Sequence, residues 1–151
     1  MYLQPDRYFG IEPNRWLLDA AIRHEVGRDL IALKRPTFHH SETFQFDVFG
    51  RTFDFLLAHS IFTHASPDQI RTCLGEARKV MTPSSLFLAT YTPGDRSYDG
   101  EAWVYPREVT YTEEKFRAMA EEQGFAREEI DWPHLYGGGH QRWVALSFPS
   151  A

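Results

Sequence analysis

The chain has 151 residues, of which 42% are hydrophobic and 15% aromatic, so it can bury one compact core. Its formal net charge of −5 argues against a nucleic-acid partner, because such partners select clustered positive charge. The single cysteine excludes an internal disulfide, and there is no membrane-spanning run or signal-peptide pattern. We therefore expect a single cytoplasmic domain over residues 1–151, with no membrane partner.

The first predicted elements are a short strand and a helix. The segment from Tyr8 to Glu12 has the pattern of a strand that ends in an acid. Asn14 is a residue type that caps helices, and apolar residues then recur at helical spacing as far as Val26. Gly27 is placed to end this helix.

The segment from Ala32 to Arg51 has no clear periodicity. A short strand is expected either at His40–Thr43 or at Phe44–Phe46. The adjacent histidines His39 and His40 do not predict a metal site, because neighbouring side chains on a strand point to opposite faces. No spaced histidine motif typical of zinc is present in the sequence.

A strand, a helix and a second strand follow with short links. The nearly continuous apolar run Phe53–Ala58 is typical of a strand covered on both faces. Ser66 and Gln69 have the spacing of a capping box, which predicts a helix over Pro67–Met81. Leu86–Tyr91 then returns to a strand pattern, so the two strands should be parallel with a right-handed crossover.

The last third predicts a helix followed by two strands. Thr112 is a suitable helix cap, and Gly124 is placed to end that helix. Strands are expected at Phe125–Asp131 and Gln141–Phe148, joined by a loop that contains Pro133 and three consecutive glycines. The final strand should run antiparallel to its neighbours.

These elements carry a family resemblance. The run FDFLLAHSIFTH, a helix and then MTPSSLFLATY resemble the fourth and fifth strands of class I S-adenosylmethionine-dependent methyltransferases. The resemblance extends from Tyr8 to Phe148. It implies a three-layer α/β, Rossmann-like sheet that is mostly parallel and ends in an antiparallel hairpin. It also implies S-adenosylmethionine as the cofactor.

The resemblance implies specific cofactor contacts. Glu12, at the end of its strand, takes the place of the acid that binds the ribose hydroxyls. Asp47 and Val48 are the candidates for the adenine amino group and the ring face. His59 and Ser60 follow the fourth family strand, near the position of methyl transfer, and His59 is the candidate catalytic base. For Glu12 the alternative is an ordinary turn carboxylate, and for Asp47 it is a solvated loop acid. For His59 the alternative is a polar residue that bonds the backbone at the strand end.

A small-molecule acceptor is implied, because the charge disfavours nucleic acid. Its candidate contacts are His64 and three aromatic residues of the long segment before the last helix: Tyr98, Trp103 and Tyr105. These aromatic residues are equally consistent with a flap that packs on its own domain.

One part of the family pattern is missing. The glycine-rich loop after the family's first strand has no counterpart here, so the sequence resembles a methyltransferase that lacks its first strand and that loop. We therefore expect this chain alone to bind S-adenosylmethionine weakly or not at all. Without that strand, Phe53–Ala58 should pair directly with Tyr8–Glu12 or be covered by another chain, as in a homodimer.

The function expected from the sequence is methyl transfer from S-adenosylmethionine to a small molecule, in a form that is inactive if the missing loop is essential. The alternative is a non-catalytic methyltransferase-like remnant that acts as an interaction or dimerisation module. A nucleotide-binding oxidoreductase is disfavoured, because the sequence has no G-x-G-x-x-G motif.

Overall fold

The computed structural model of the protein describes residues 3–132 and 140–149. The chain divides into two compact units, Met1–Gly50 and Arg51–Ala151, each with its own sheet. The predicted loop from Pro133 to Gly139 lies outside the described residues. Across the part of the chain that is described, no helix combines the length and the apolar character needed to cross a membrane.

The first unit is a small parallel βαβ arrangement. Its elements are β1 (Phe9–Ile11), α1 (Arg15–Ala21), a π-helical turn (Ile22–Val26), α2 (Arg28–Lys34), β2 (Thr37–His39) and a 3-10 turn (Phe46–Phe49). β1 pairs with β2 in parallel, with Ile11 opposite His39. The predicted strand at Tyr8–Glu12 is therefore confirmed in position.

The prediction for the segment after Ala32 was wrong. The strand lies at Thr37–His39, not at His40–Thr43 or Phe44–Phe46. Pro36 cannot continue a helix, and the β-branched and aromatic residues that follow it suit a strand. Gly27 does end the first helical stretch, with φ of 84°, but α2 begins at the next residue.

The second unit carries a five-stranded sheet. Its elements are β3 (Phe53–Ala58), α3 (Pro67–Val80), β4 (Met81–Pro93), β5 (Thr110–Tyr111), α4 (Glu113–Glu122), β6 (Ala126–Ile130) and β7 (Arg142–Ser147). The strand order is β3-β4-β7-β6, and β5 also pairs with the end of β4. The two-residue strand β5 had no recognisable signal in the sequence.

The pairing of these strands confirms the predicted parallel strand–helix–strand unit and the predicted antiparallel final strand. β3 and β4 are parallel, and β7 is antiparallel to both β4 and β6. Among the described strands, β1 pairs with β2, and β3 pairs with β4. The expected direct pairing of Tyr8–Glu12 with Phe53–Ala58 is not among these pairs. The mixed α/β class, with a mostly parallel sheet and a terminal antiparallel hairpin, is as expected.

Both helices of the second unit begin at the predicted caps. The Ser66 side chain accepts a hydrogen bond from the Gln69 backbone N–H, and the Gln69 side chain accepts one from the Ser66 N–H. The Thr112 hydroxyl accepts from the Lys115 N–H at 3.2 Å. These bonds satisfy backbone donors that a helix start otherwise leaves unpaired.

The core of the second unit lies on one face of its sheet, under α3 and α4. The buried rings of Tyr91 and Phe116 are stacked with centroids 4.3 Å apart, and Phe62 bridges Phe116 to the sheet. The opposite face of β3 is different, because Phe55 and Leu57 are each 67% exposed. The expectation that β3 is covered on both faces therefore does not hold within this unit.

Candidate functional site

Polar groups gather where the two parallel strands of the first unit end, which is the edge of an α/β sheet at which ligands bind. Glu12 directly follows β1, and its backbone N–H donates to the His39 carbonyl at 3.1 Å. Its carboxylate Oε1 accepts from the Asn14 N–H at 2.8 Å. Within the described residues, Glu12 Oε2 accepts no hydrogen bond and is available to a ligand.

The cap of α1 is made differently from the prediction. Asn14 occupies the N-cap position, but its side chain makes no capping hydrogen bond. Glu12 instead binds the Asn14 backbone N–H, which holds the carboxylate at the strand end. The acid singled out from the sequence is thus both a turn carboxylate and a group with one free oxygen, so the two interpretations are compatible.

Asp47 and Val48 lie on the 3-10 turn Phe46–Phe49, eight and nine residues after the end of β2. The Asp47 carbonyl accepts from the Gly50 N–H at 2.9 Å, which closes the turn. Val48 is 47% exposed, so an apolar surface is open to solvent there. Neither residue directly follows a strand.

His40 occupies the position directly after β2. Its ring Nδ1 lies 2.8 Å from the Glu12 carbonyl oxygen, which joins the ends of the two strands. Sequence reasoning missed this residue because it placed the strand too late in the chain. Pro36 was the available signal, since a strand that begins just after it ends near His39.

In the second unit, His59 and Ser60 follow β3 as predicted. The Ser60 N–H donates to the Thr90 hydroxyl at 2.8 Å, and the Ser60 hydroxyl donates to Gln141 Oε1 at 3.1 Å. Ser60 has a φ of 56°, and these two bonds hold it in that left-handed conformation. The end of β3 is thereby tied to β4 and to the residue before β7.

His59 is exposed and lies face to face with Trp143 of β7, with centroids 5.0 Å apart. Stacking orients the imidazole but leaves the edges of its ring open to solvent. Trp132 meets the Trp143 ring edge-on at 5.7 Å. His59 therefore has a defined orientation and an accessible ring, as a proton acceptor requires.

A second aromatic cluster surrounds His64. The ring of Trp103 lies 5.6 Å from the His64 ring and that of Tyr105 lies 5.3 Å away. His64 Nδ1 lies 3.0 Å from the carbonyls of both Val104 and Arg107. Because carbonyls only accept, Nδ1 carries the proton, and the neutral ring presents Nε2 as an acceptor.

Three of the four predicted acceptor contacts are thus brought together, and Tyr98 lies apart from them. The Tyr98 hydroxyl donates to the Ala102 carbonyl at 3.1 Å. Its side chain lines a polar cleft with Asp68, Arg71 and Lys115, and neither Trp103 nor Tyr105 lines that cleft. The segment before α4 is therefore partly packed on its own unit, as the alternative interpretation held.

Glu108 forms a polar cluster that the sequence did not indicate. Its Oε2 accepts from the Thr92 hydroxyl at 2.8 Å and lies 2.7 Å from His140 Nε2. Burial acts to raise the Glu108 pKa, but the bonds from His140 and Thr92 outweigh burial, and the pKa lies below its ordinary value. The Glu108 carboxylate therefore stays ionised over a wider range of pH than an ordinary glutamate.

Solved structures with a similar fold match nearly the whole chain. The glycopeptide N-methyltransferase MtfA, complexed with S-adenosyl-L-methionine, has a TM-score of 0.68 and 14% identity over 95% of this chain and 78% of that chain. Magnesium protoporphyrin IX methyltransferase ChlM from Synechocystis PCC 6803 has a TM-score of 0.64 and 12% identity over 93% and 59%. The mitomycin 7-O-methyltransferase MmcR has a TM-score of 0.70 and 17% identity over 95% and 42%.

At these identities the likeness shows the fold alone. The chain has the class I methyltransferase fold, which confirms the fold that the resemblance implied. The chain spans between 42% and 78% of the length of these three structures. No protein-family model matches the sequence, and no curated protein matches it significantly.

Proposed function

We propose that this chain binds S-adenosylmethionine and transfers its methyl group to a small-molecule acceptor. The observation that carries the proposal is the Glu12 carboxylate at the carboxyl end of β1, with Oε1 engaged by the Asn14 N–H and Oε2 open. A carboxylate in this position is suited to accept the hydroxyl protons of a ribose. MtfA, which shares the fold, was crystallised with this cofactor.

Glu12 would hold the ribose, with Asp47 and Val48 beside the adenine. The exposed side chain of Val48 supplies an apolar surface for a ring face, and Asp47 lies next to it on the same turn. Because hydrogen bonds and one apolar contact hold only the nucleoside half, we expect weak binding, in the range of about 0.1–10 mM.

His59 and Ser60 would serve the transfer step. The bound cofactor supplies an electrophilic methyl group on a sulfonium. Ser60, through its bonds to Thr90 and Gln141, fixes the turn that carries His59. A ring nitrogen of His59 takes the proton from a hydroxyl or amine acceptor, and general-base assistance of this kind contributes roughly 10²–10⁴ in rate.

The His64 cluster would bind the acceptor, with Trp103 and Tyr105 as its aromatic walls. Tyr98, in the neighbouring polar cleft, would contact a polar extension of that acceptor. The net charge of −5 supports a small neutral or cationic molecule over a nucleic acid.

The proposal is tested by titrating the full chain with S-adenosylhomocysteine, the stable product of the transfer, in ligand-detected NMR. We expect saturable binding at about millimolar concentration, weakened about tenfold or more by Glu12→Ala, because a charge-assisted bond is lost. Glu42→Ala, at an exposed acid of the same unit, is the control. Absence of binding by the unaltered chain, or binding that Glu12→Ala leaves unchanged, would contradict the proposal.

The alternative function is a non-catalytic interaction module that forms a homodimer. The observation that favours it is the exposure of Phe55 and Leu57 on one face of β3. Exposed apolar residues beside an open strand edge are a common association surface. Nucleoside binding and self-association are measured independently, so the two functions can be separated.

A further inference from the structure

The outer edge of β3 has no strand beside it. β3 is the terminal strand of its sheet, and among the described strands it pairs only with β4. Within the described residues, no backbone hydrogen bond joins Phe55, Leu56 or Leu57 to a segment other than β4. Because alternate residues of a parallel strand bond to opposite neighbours, about half of the N–H and C=O groups of β3 have no strand partner.

This edge also lacks the usual protection against pairing. Soluble proteins commonly protect an open edge with a lysine, a proline or an inward-pointing charge. β3 contains neither lysine nor proline, and its one charged residue, Asp54, is exposed near its beginning. Phe55 and Leu57 are each 67% exposed on one face of the strand. Unpaired backbone beside exposed apolar side chains is the combination by which a sheet edge accepts another strand.

We propose that β3 pairs in antiparallel orientation with β3 of a second copy of this chain, with Leu56 opposite Leu56 of that copy. A two-fold axis perpendicular to the sheet then joins the two sheets edge to edge. Phe55 of each copy lies opposite Leu57 of the other, so four exposed side chains form two aromatic–aliphatic cross-strand pairs. This inference rests on the homodimer named as the alternative function, and it adds the edge and the register through which the copies associate.

The position of Asp54 favours this register over its neighbours. With Leu56 on the axis, Asp54 lies opposite Ala58 of the second copy, and the two aspartates are about 14 Å apart, beyond the screening length of about 8–10 Å. With Phe55 on the axis, that separation falls to about 8 Å, and the like charges repel. A register centred on Leu57 pairs only three residues of each six-residue strand. A slip by one residue would turn the exposed faces of the two copies to opposite sides.

The same register reaches the candidate transfer site. Continued by one residue beyond the strand, it sets Phe53 of the second copy opposite His59, whose ring stacks on Trp143. Directly opposite residues of an antiparallel pair point to the same face of the sheet. Each copy therefore supplies an aromatic side chain beside His59 of the other.

Disulfide cross-linking between two variants tests the register. Phe55→Cys and Leu57→Cys are made separately in the full chain, one of them with a tag that changes its mass, and are oxidised alone and as a mixture. Opposite residues have Cα atoms about 4.5–5.5 Å apart, within disulfide range, whereas the two Phe55 positions are about 8 Å apart. The mixture should form the linked dimer about tenfold faster than either variant alone.

Two controls accompany the cross-linking. Cys73 is buried, so the unaltered chain should form no linked dimer. Leu33→Cys, at an exposed leucine of α2, should react no faster in a mixture with Leu57→Cys than either variant does alone.

Hydrogen exchange on the unaltered chain tests the edge pairing without any substitution. The β3 amides that point away from β4 should be protected in the dimer and should exchange rapidly after dilution to the monomer. The amides that join β4 to β7 should be protected at both concentrations. A dimer that leaves the outer β3 amides unprotected associates through the sheet face, and it overturns the proposed edge pairing.

Each contrary outcome has a definite meaning. Equal cross-linking rates in the mixture and in the single variants, or a faster reaction of Phe55→Cys with itself, reject the register centred on Leu56 and leave the homodimer standing. An unaltered chain that is monomeric at every concentration overturns this inference together with the alternative function, and it leaves the proposed methyl transfer untouched. If the cysteine variants no longer form dimers, hydrogen exchange on the unaltered chain decides.

Discussion

The imidazole of His59 lies parallel to the indole of Trp143, at an interplanar angle of 5° and a centroid distance of 5.0 Å. The two residues come from the end of β3 and from β7, which are not neighbours in the sheet. The two rings can therefore stack only when the end of β3 has its folded geometry.

We expect the fluorescence of Trp143 to depend on the ring of His59, because an imidazole stacked on an indole changes the emission of that indole. His59→Ala should therefore change the tryptophan emission of the folded chain at constant pH. Glu42→Ala, at an exposed acid of the first unit, should leave the emission unchanged. An unchanged emission spectrum in His59→Ala would argue against the stacked arrangement in solution.

Glu108→Gln should lower stability in a pH-dependent way. The pKa of Glu108 in the folded chain lies below its ordinary value of 4.5, so the folded state binds the proton less tightly than the unfolded state. The stabilisation from this group is therefore complete above about pH 4.5 and is lost as the pH falls through the folded pKa.

Urea unfolding from pH 3 to 7 tests this expectation. The stability difference between the unaltered chain and Glu108→Gln should be largest above pH 5 and should shrink towards pH 3. Glu114→Gln removes the same charge at an exposed acid with no ion pair among the described residues, and it should show a smaller difference. A Glu108→Gln difference that is constant with pH would be inconsistent with the lowered pKa.

Phe116→Ala should destabilise the second unit strongly. Phe116 is fully buried, stacks on Tyr91 and packs against Phe62, so its removal leaves a cavity under the sheet. Phe-to-Ala changes in cores cost about 3–5 kcal/mol. Tyr105→Ala, at a ring that is 74% exposed, should cost less than about 1 kcal/mol. Urea unfolding gives the loss of unfolding free energy for each variant. Similar losses for the two variants would show that Phe116 is not part of a packed core.

The exposed face of β3 should make the chain self-associate. Phe55 and Leu57 are on the same face, because alternate residues of a strand point the same way, and both are 67% exposed. Light scattering over a dilution series should show a dimer at high concentration that dissociates on dilution. Leu57→Lys should give a monomer, whereas Leu33→Lys, at another exposed leucine in α2, should not. If the unaltered chain remained monomeric at every concentration, the proposed homodimer would have no support.

Signals that act between near neighbours in sequence were sufficient for much of the fold. The capping box of Ser66 and Gln69 predicted the start of α3 to the residue, because both of its hydrogen bonds span three positions. The apolar runs of β3 and β4 and the caps around α4 were also predicted correctly.

Relationships between distant residues were decided only by the tertiary structure. β5 has two residues and β2 has three, so pairing partners define these strands and their own sequence pattern does not. The bond from His40 to Glu12 spans 28 residues, and that from His140 to Glu108 spans 32. Both depend on where strands end and on which strands lie side by side. The sequence by itself determined the caps of α3 and α4, the apolar strands and the class of fold. Strand register and packing decided which polar groups meet, because that requires loops to bring distant segments to one edge of a sheet.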